Sequence, residues 1–424
     1  MKETVDVSIR LYLERLFFGI DRTAQFQHYF KFFERAIKGI VCSRSSVLAN
    51  IVRMYCDFDS LQLEENRISK FLMSNSIPWE DLFNRSIELG AMTVGPEDII
   101  AFDPGDLTKR YAKTMENLHP VYDGSTNEVQ LGFEQIGIEA IQWKKGKRFH
   151  IPLFQRIYSP REEGFKSQNE RICEAILRTW EYLGNRIGIW VFDRGHDRSK
   201  IFESTFLKLQ DKMRWILRLK ENRMVEIVDE AGIVSKVRVI DYLKQQPPWH
   251  EHLKLEFPKE TNPIEIKWVQ CRIPDTLGKQ WLTAISVYNS KYQKPVYLLT
   301  NEQAHLPEEV MHRFGQYLER WGKELGYRFM KSFLNFEDIR TQAFNRTTRL
   351  CFIMHLTYQW LSVLDRKLNS ENPQTAALID DNVLAFKPYN TLSYRYTRVA
   401  EFAATQLKMQ SNLEHRRMNL TQVG

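Results

Sequence analysis

The chain has 424 residues, too many for one ordinary domain, and 43% of them are hydrophobic, with 10 Trp, 17 Tyr and 26 Phe. That content supplies real cores and excludes a disordered chain, while 60 Lys and Arg against 53 Asp and Glu permit a polyanionic partner without identifying one. The five cysteines (Cys42, Cys56, Cys173, Cys271, Cys351) form no closely spaced pair, which argues against a zinc site or a disulfide framework and for a reduced, cytoplasmic setting.

From Lys2 onward charged and apolar residues alternate, unlike a signal peptide. Residues 1–92 read as all-helical: Ile9, Leu13, Leu16 and Phe17 keep helical spacing, as do Phe26, Tyr29, Phe33 and Ile37. Ser45 and Ser46 are placed to cap a short helix, and a second helix spans Glu64 to Met73 across a tight connection. The pair fits a helix-turn-helix that would turn Arg67, Ser69 and Lys70 toward DNA, and fits equally a helical bundle with a basic surface. Near Gly95–Pro96 the pattern changes to strand. The apolar run Ile99-Ile100-Ala101-Phe102 ends in Asp103, with Asp106 as the competing carboxylate and Thr108, Lys109 and Arg110 as a basic sequel. Val129–Trp143 and Arg148–Tyr158 predict a hairpin about Lys144–Lys147, and Phe165–Leu183 a helix. A second apolar strand, Ile187 to Phe192, ends in Asp193-Arg194-Gly195, with His196 and Asp197 lining the turn.

A helix and a strand at Met213–Leu219 follow, and then roughly 222–300 is strand-rich, punctuated by Pro247-Pro248 and Gly278-Lys279. Trp249 and Trp281 stand in that stretch as candidates for stacking on a base, and as candidates for core. Tyr317, Arg320, Glu324 and Lys331 then share a pattern Y-x2-R-x3-E-x6-K. On one helix these four fall within a sector of roughly 60°. A long apolar helix covers Ala343–Leu364, with a core too short to span a bilayer, and a polar loop at Asn369–Asp381 leads to a basic helical segment.

Two strand-end aspartates and a helix-borne glutamate are hard oxygen donors on rigid supports, the ligand set that two-metal phosphoryl transfer requires. With Asp103, Asp193, Tyr317, Arg320, Glu324 and Lys331 in this order, the chain resembles the DDE transposases of the bacterial insertion-sequence-4 family, marked by a YREK signature. The resemblance implies an α/β fold: an RNase H-like mixed-sheet catalytic core with a β-rich insertion, an all-helical N-terminal DNA-binding domain and a helical C-terminus. Its divisions fall at 1–92 (DNA-end binding), 93–221 and 301–368 (the two parts of the core), 222–300 (the insertion) and 369–424 (a segment that pairs protomers or simply docks).

On this resemblance Asp103, Asp193 and Glu324 are catalytic and bind two Mg²⁺ ions, replaceable by Mn²⁺. Tyr317, Arg320 and Lys331 contact DNA phosphates, with Arg194, Lys109, Trp249 and Trp281 as further DNA-binding candidates. The implied partners are double-stranded DNA, as transposon terminal inverted repeats and target, and a second protomer on the DNA; no membrane is involved, and the setting is the bacterial nucleoid. The implied reaction is cut-and-paste transposition through hairpin ends. Two alternatives stay open, an RNase H-like nuclease without strand transfer and a domesticated, non-catalytic DNA-binding protein.

Overall fold

The structure, a computed structural model, describes residues 2–20, 25–124, 126–185, 187–255, 260–274, 280–289, 294–371, 374–377 and 395–408. The expected punctuation at Gly278-Lys279 and most of the polar loop before 381 lie outside these residues. The fold is mixed α/β, with N-terminal helices, a central sheet of parallel and antiparallel strands, and C-terminal helices.

Five helices come first: α1 (Lys2–Leu16), α2 (Phe26–Ser43), α3 (Leu48–Val52), α4 (Leu61–Met73) and α5 (Trp79–Ala91). The sheet starts with β1 (Ile99–Thr108), β2 (His119–Asp123), β3 (Glu128–Lys144) and β4 (Lys147–Tyr158). Between β3 and β4 only Lys145 and Gly146 intervene, at φ 51° and 71°. Two left-handed residues in a row make the tight turn whose twist matches that of the flanking strands. Helix α6 (Gln168–Leu183) begins where the Ser167 hydroxyl accepts the Glu170 N–H at 3.2 Å, a side-chain cap. It leads to β5 (Ile189–Phe192) through Gly188, whose φ is 71° and whose missing Cβ would lie 2.6 Å from Ile100. Only glycine meets both conditions. A short helical passage, α7 (Ser199–Ile201), a π-helical turn and α8 (Leu207–Leu209), then delivers β6 (Arg214–Arg218).

In the sheet β1 lies between antiparallel β3 and parallel β5, and β5 is parallel to β6. The strand-rich stretch contains β7 (Met224–Val228), β8 (Val234–Arg238), α9 (Val239–Gln245), β9 (Trp249–Leu255), β10 (Glu260–Cys271), β11 (Leu282–Asn289) and β12 (Val296–Thr300). Apart from the β7–β8 hairpin, these strands prolong the central sheet: β12 pairs antiparallel with β6, and β11, β10 and β9 follow in turn.

Three helical elements then cover the two faces. α10 (Pro307–Leu318) and α11 (Trp321–Arg328) lie over one face, and α12 (Phe344–Glu371) packs on the other. α12 is buried on all sides between Leu350 and Leu364, and its polar groups are absorbed locally. Gln359 accepts from the Tyr12 hydroxyl at 2.7 Å and donates to the carbonyls of Ser86 and Pro152, and the Trp360 indole donates to Ser8 at 2.9 Å. The N-terminal helices therefore share one apolar core with α12 and the sheet. Helical residues 395–408 dock on the same core through Tyr396, Val399 and Ala403, and Arg395 pairs with the buried carboxylate of Asp365 at 2.5 Å. Among the described residues no helix is long and apolar enough to cross a membrane.

Candidate active site

β1 and β5 run parallel in a register that pairs Ile99 with Ile189 and Ala101 with Val191. Two residues farther along each strand come Asp103 and Asp193. Strand side chains alternate faces with period two, so these aspartates continue the rows Ile99–Ala101 and Ile189–Val191, side by side on the face that α10 and α11 cover. Glu324 reaches the same place from α11. Its approach depends on small residues: a Cβ on Gly322 would lie 2.6 Å from Ile141, and one on Gly326 would lie 2.4 Å from Glu139, so the helix backbone rests directly on β3.

The expected single helix is not continuous. α10 ends at Leu318, the next turn closes through short-range bonds (Arg320 N–H to Tyr317 O, Lys323 N–H to Arg320 O), and residues Phe329–Phe333 form a π-helical turn. Mid-helix departures of this kind re-aim side chains. Here they separate the four signature residues. Arg320 is 8% exposed and spans two carboxylates, 3.4 Å from Asp103 and 3.5 Å from Glu324. Lys331 instead binds Asp106 at 3.2 Å and Glu337 at 3.0 Å, and Tyr317 is buried in the apolar layer beside the sheet.

The two aspartates have opposite electrostatic environments. Asp103 is pushed up to about 7: burial is the main cause, Asp193 and Glu324 add to it, and Arg320 and Lys323 only partly offset it. Asp193 is also penalised by burial, yet its carboxyl sits below the usual range. His196 bonds it at 2.5 Å, the Gly195 N–H donates to it at 2.9 Å, and Arg320 lies nearby. His196 thus holds the carboxylate, a role more definite than lining a turn.

The competing carboxylates are engaged elsewhere. Asp197 is buried, accepts the Lys220 N–H at 2.8 Å and pairs with Arg223. Asp106 belongs to the Lys331 cluster. Of the other candidates, Arg194 is exposed beside Asp193, whereas Lys109 is 5% exposed and donates to the carbonyls of Glu337 and Ile339. Burial pushes the Lys109 ammonium down to about 8, and it pins a loop. Trp249, 49% exposed, starts the outermost strand, six strands from β1, and Trp281 lies under the Arg272 guanidinium at 3.9 Å. Neither tryptophan is gathered with the aspartates. In the helix-turn-helix candidate, Arg67 pairs with Glu64 and Lys70 is exposed.

Among the described residues no three His, Cys, Asp or Glu side chains are grouped to hold a metal ion. The donor chemistry does fit a hard divalent cation. A buried carboxyl whose pKa is raised partly by two neighbouring carboxylates gains strongly from an added positive charge, which Arg320 now supplies. Sequence reasoning missed Lys323, Tyr327 and Glu139, which stand directly behind this cluster; the G-x-x-x-G spacing of Gly322 and Gly326 was the available signal of a closely docked helix. No family model matches the chain, and no curated protein is similar to it.

Proposed function

We propose that this protein is a DDE-type DNA transposase with an RNase H-like core, acting by divalent-metal-dependent strand cleavage and transfer on the ends of its own element. The observation that supports the reading is the placement of Asp103 on β1 and of Asp193 directly after β5, its parallel neighbour, with Arg320 bridging Asp103 to Glu324. The strand order β4-β3-β1-β5-β6, with β3 antiparallel to its neighbours, is the order expected of an RNase H-like sheet and supports the same reading.

In this reading Asp103, Asp193 and Glu324 would hold divalent cations, and two Mg²⁺ ions bound there would supply activation of the attacking water or 3′-hydroxyl and stabilisation of the leaving oxygen. His196 and the Gly195 N–H keep Asp193 ionised and oriented. Arg320, which pairs with Asp103 and Glu324 here, would offer its planar fork to the phosphate beside the cut. Lys331 and Arg194 add cations along the strand's path, and a second protomer completes the assembly on paired ends.

The test is cleavage of duplex DNA carrying the inverted repeats that flank the coding sequence, with full-length protein and Mg²⁺, on a gel resolving nicked, hairpin and excised species. The expected result is nicks followed by hairpins, both lost in Asp193→Asn. Nicks without any joined product would make the protein a nuclease. End binding without cleavage would favour the non-catalytic reading, which the Arg320 bridge between two of the carboxylates also suits.

A further inference from the structure

Directly behind Asp103 the protein buries a set of charges that the chemistry above does not use. Glu139 on β3 is 0% exposed, and its carboxylate takes three partners: the His150 ring at 2.6 Å, the Tyr358 hydroxyl at 2.8 Å and the Lys323 ammonium at 3.3 Å. Lys323, itself 4% exposed, also sits 4.0 Å from the centre of the Tyr327 ring. The Tyr327 hydroxyl then donates to the backbone carbonyl of Asp103 at 2.7 Å. A chain of direct contacts thus runs from Glu139 through α11 to the backbone of one proposed catalytic carboxylate.

Burying such a cluster is costly unless every member is paired, and a hydrophobic set of similar volume would stabilise the fold as well. Its placement suggests another use. The β3–β4 pairing carries a bulge at Ile138/Glu139, a feature that re-aims side chains. Gly137, paired with Asp103 across the β1–β3 ladder, leaves room for the Tyr327 hydroxyl and the Lys323 ammonium, which a Cβ there would meet at 2.5 and 2.8 Å. Lys323 stands on the buried stripe of α11 with half-buried Tyr327 one turn on, and Glu324 leaves the same helix toward the cluster with Asp103. The height of this helix above the sheet therefore fixes how far apart Glu324 and Asp103 stand.

We propose that Lys323 and Tyr327, anchored on Glu139, are positioning residues that lock α11 to β1 and hold Glu324 and Asp103 at their working separation. This rests on Asp103 and Glu324 being the carboxylates that act on DNA. Small displacements matter in such a site: a shift of about 1 Å can cost about 100-fold in rate.

The test compares wild type, Asp193→Asn, Tyr327→Phe, Lys323→Met and the double variant Lys323→Met/Glu139→Gln in the end-cleavage assay, with DNA affinity and melting temperature measured on each. Tyr327→Phe removes one hydroxyl and keeps the ring, so kcat should fall by about ten-fold or more while KM and DNA affinity stay within about two-fold. Lys323→Met alone leaves Glu139 buried without its cation and can fail to fold. The double variant removes both charges; its melting temperature should recover toward wild type while its kcat stays low. Recovery of both, or wild-type kcat in Tyr327→Phe, with Asp193→Asn inert, would show a purely structural cluster and overturn the positioning role while leaving the functional reading intact. An inert wild type would overturn the functional reading and the positioning role with it.

Discussion

Two clusters of buried charge lie within a few residues of each other on the same sheet face, and they are built differently. Around Glu139 the carboxylate has three partners between 2.6 and 3.3 Å, and its pKa is held below the usual range although burial alone would raise it. Around Asp103 the ion pairs made by Arg320 are longer, 3.4 and 3.5 Å, Glu324 is 43% exposed, and two carboxylates share one guanidinium. The Glu139 carboxylate is fully engaged, although the buried His150 Nε2 beside it has no partner among the described residues, whereas the two carboxylates at Arg320 share one cation at longer range. The contrast sets a tightly paired carboxylate beside a loosely paired one on the same sheet face.

The largest effect expected is on chemistry. Glu324→Gln keeps the volume and removes the charge from the loosely paired cluster, so strand cleavage should fall by at least about 10³-fold, or roughly 4 kcal/mol of barrier. DNA affinity and melting temperature should change little, because this side chain is partly exposed and among the described residues pairs only with Arg320, at long range. A gel assay together with a filter-binding titration checks both halves; a collapse of the fold would place Glu324 in the scaffold instead.

The reverse pattern is expected for the tight cluster. Gly326→Ala would set a methyl 2.4 Å from the Glu139 carboxylate and 3.0 Å from the Tyr358 hydroxyl, both fixed by their other bonds. Overpacking of this kind should cost about 2–3 kcal/mol. The measurement is the urea midpoint, and a midpoint unchanged from wild type would mean that α11 can lift from the sheet without penalty.

The elements that carry the cluster around Asp103 were legible in the sequence because each is locally encoded. Apolar runs closed by aspartate marked β1 and β5, and Lys145-Gly146 marked the hairpin between β3 and β4. The cluster around Glu139 was not legible, since two of its three partners stand 184 and 219 residues away at Lys323 and Tyr358, and a lone glutamate in an apolar strand names no partner. Helical periodicity also assumes an unbroken 100° step. It put Tyr317, Arg320, Glu324 and Lys331 on one face, and could not register the tightened turn at Arg320 or the π-helical turn at Phe329–Phe333, which packing imposes. Strand content between 222 and 300 was readable, but that β12 returns to pair with β6 was not, because pairing across such a separation leaves no local mark.

A smaller effect should distinguish the clusters by pH. Asp103 titrates at about 7 in the folded protein against 3.8 ordinarily, so the folded state holds its proton more tightly than the unfolded chain. The stability this confers is fully present below pH 3.8 and is lost as pH rises through about 7, at up to about 1.4 kcal/mol per pH unit. Asp193 and Glu139 are shifted down and act in the opposite sense, at lower pH. His119, His312 and His355 are also shifted down, and their neutral burial favours the folded state as pH rises in this same window. The informative quantity is therefore the difference in melting temperature between wild type and Asp103→Asn from pH 5 to 8, which should widen in favour of the variant. A constant difference would mean that the Asp103 carboxyl is not held up in the folded protein.

A small change in stability, and the finest discrimination, is expected from Arg320→Ala. If Arg320 belonged to the scaffold, its loss would resemble breaking a buried ion pair, at about 3–5 kcal/mol. Its bonds are instead at the long end of the range, and the carboxylates it serves can take up a proton, so the cost at pH 6 should stay near 1 kcal/mol. The proton is the trace that the substitution leaves. Arg320 is the strongest influence pulling Asp103 down, so without it the midpoint of the pH-dependent stability loss should move above 7. Arg320→Lys should restore that midpoint in part, since a single ammonium returns the charge without the fork that reaches two carboxylates at once. In the cleavage assay the same lysine variant should nick the first strand and stall before the hairpin, because gripping the distorted strand needs the planar group. Equal loss of every product together with a large drop in melting temperature would move Arg320 into the company of Lys323, and the two clusters would then be one.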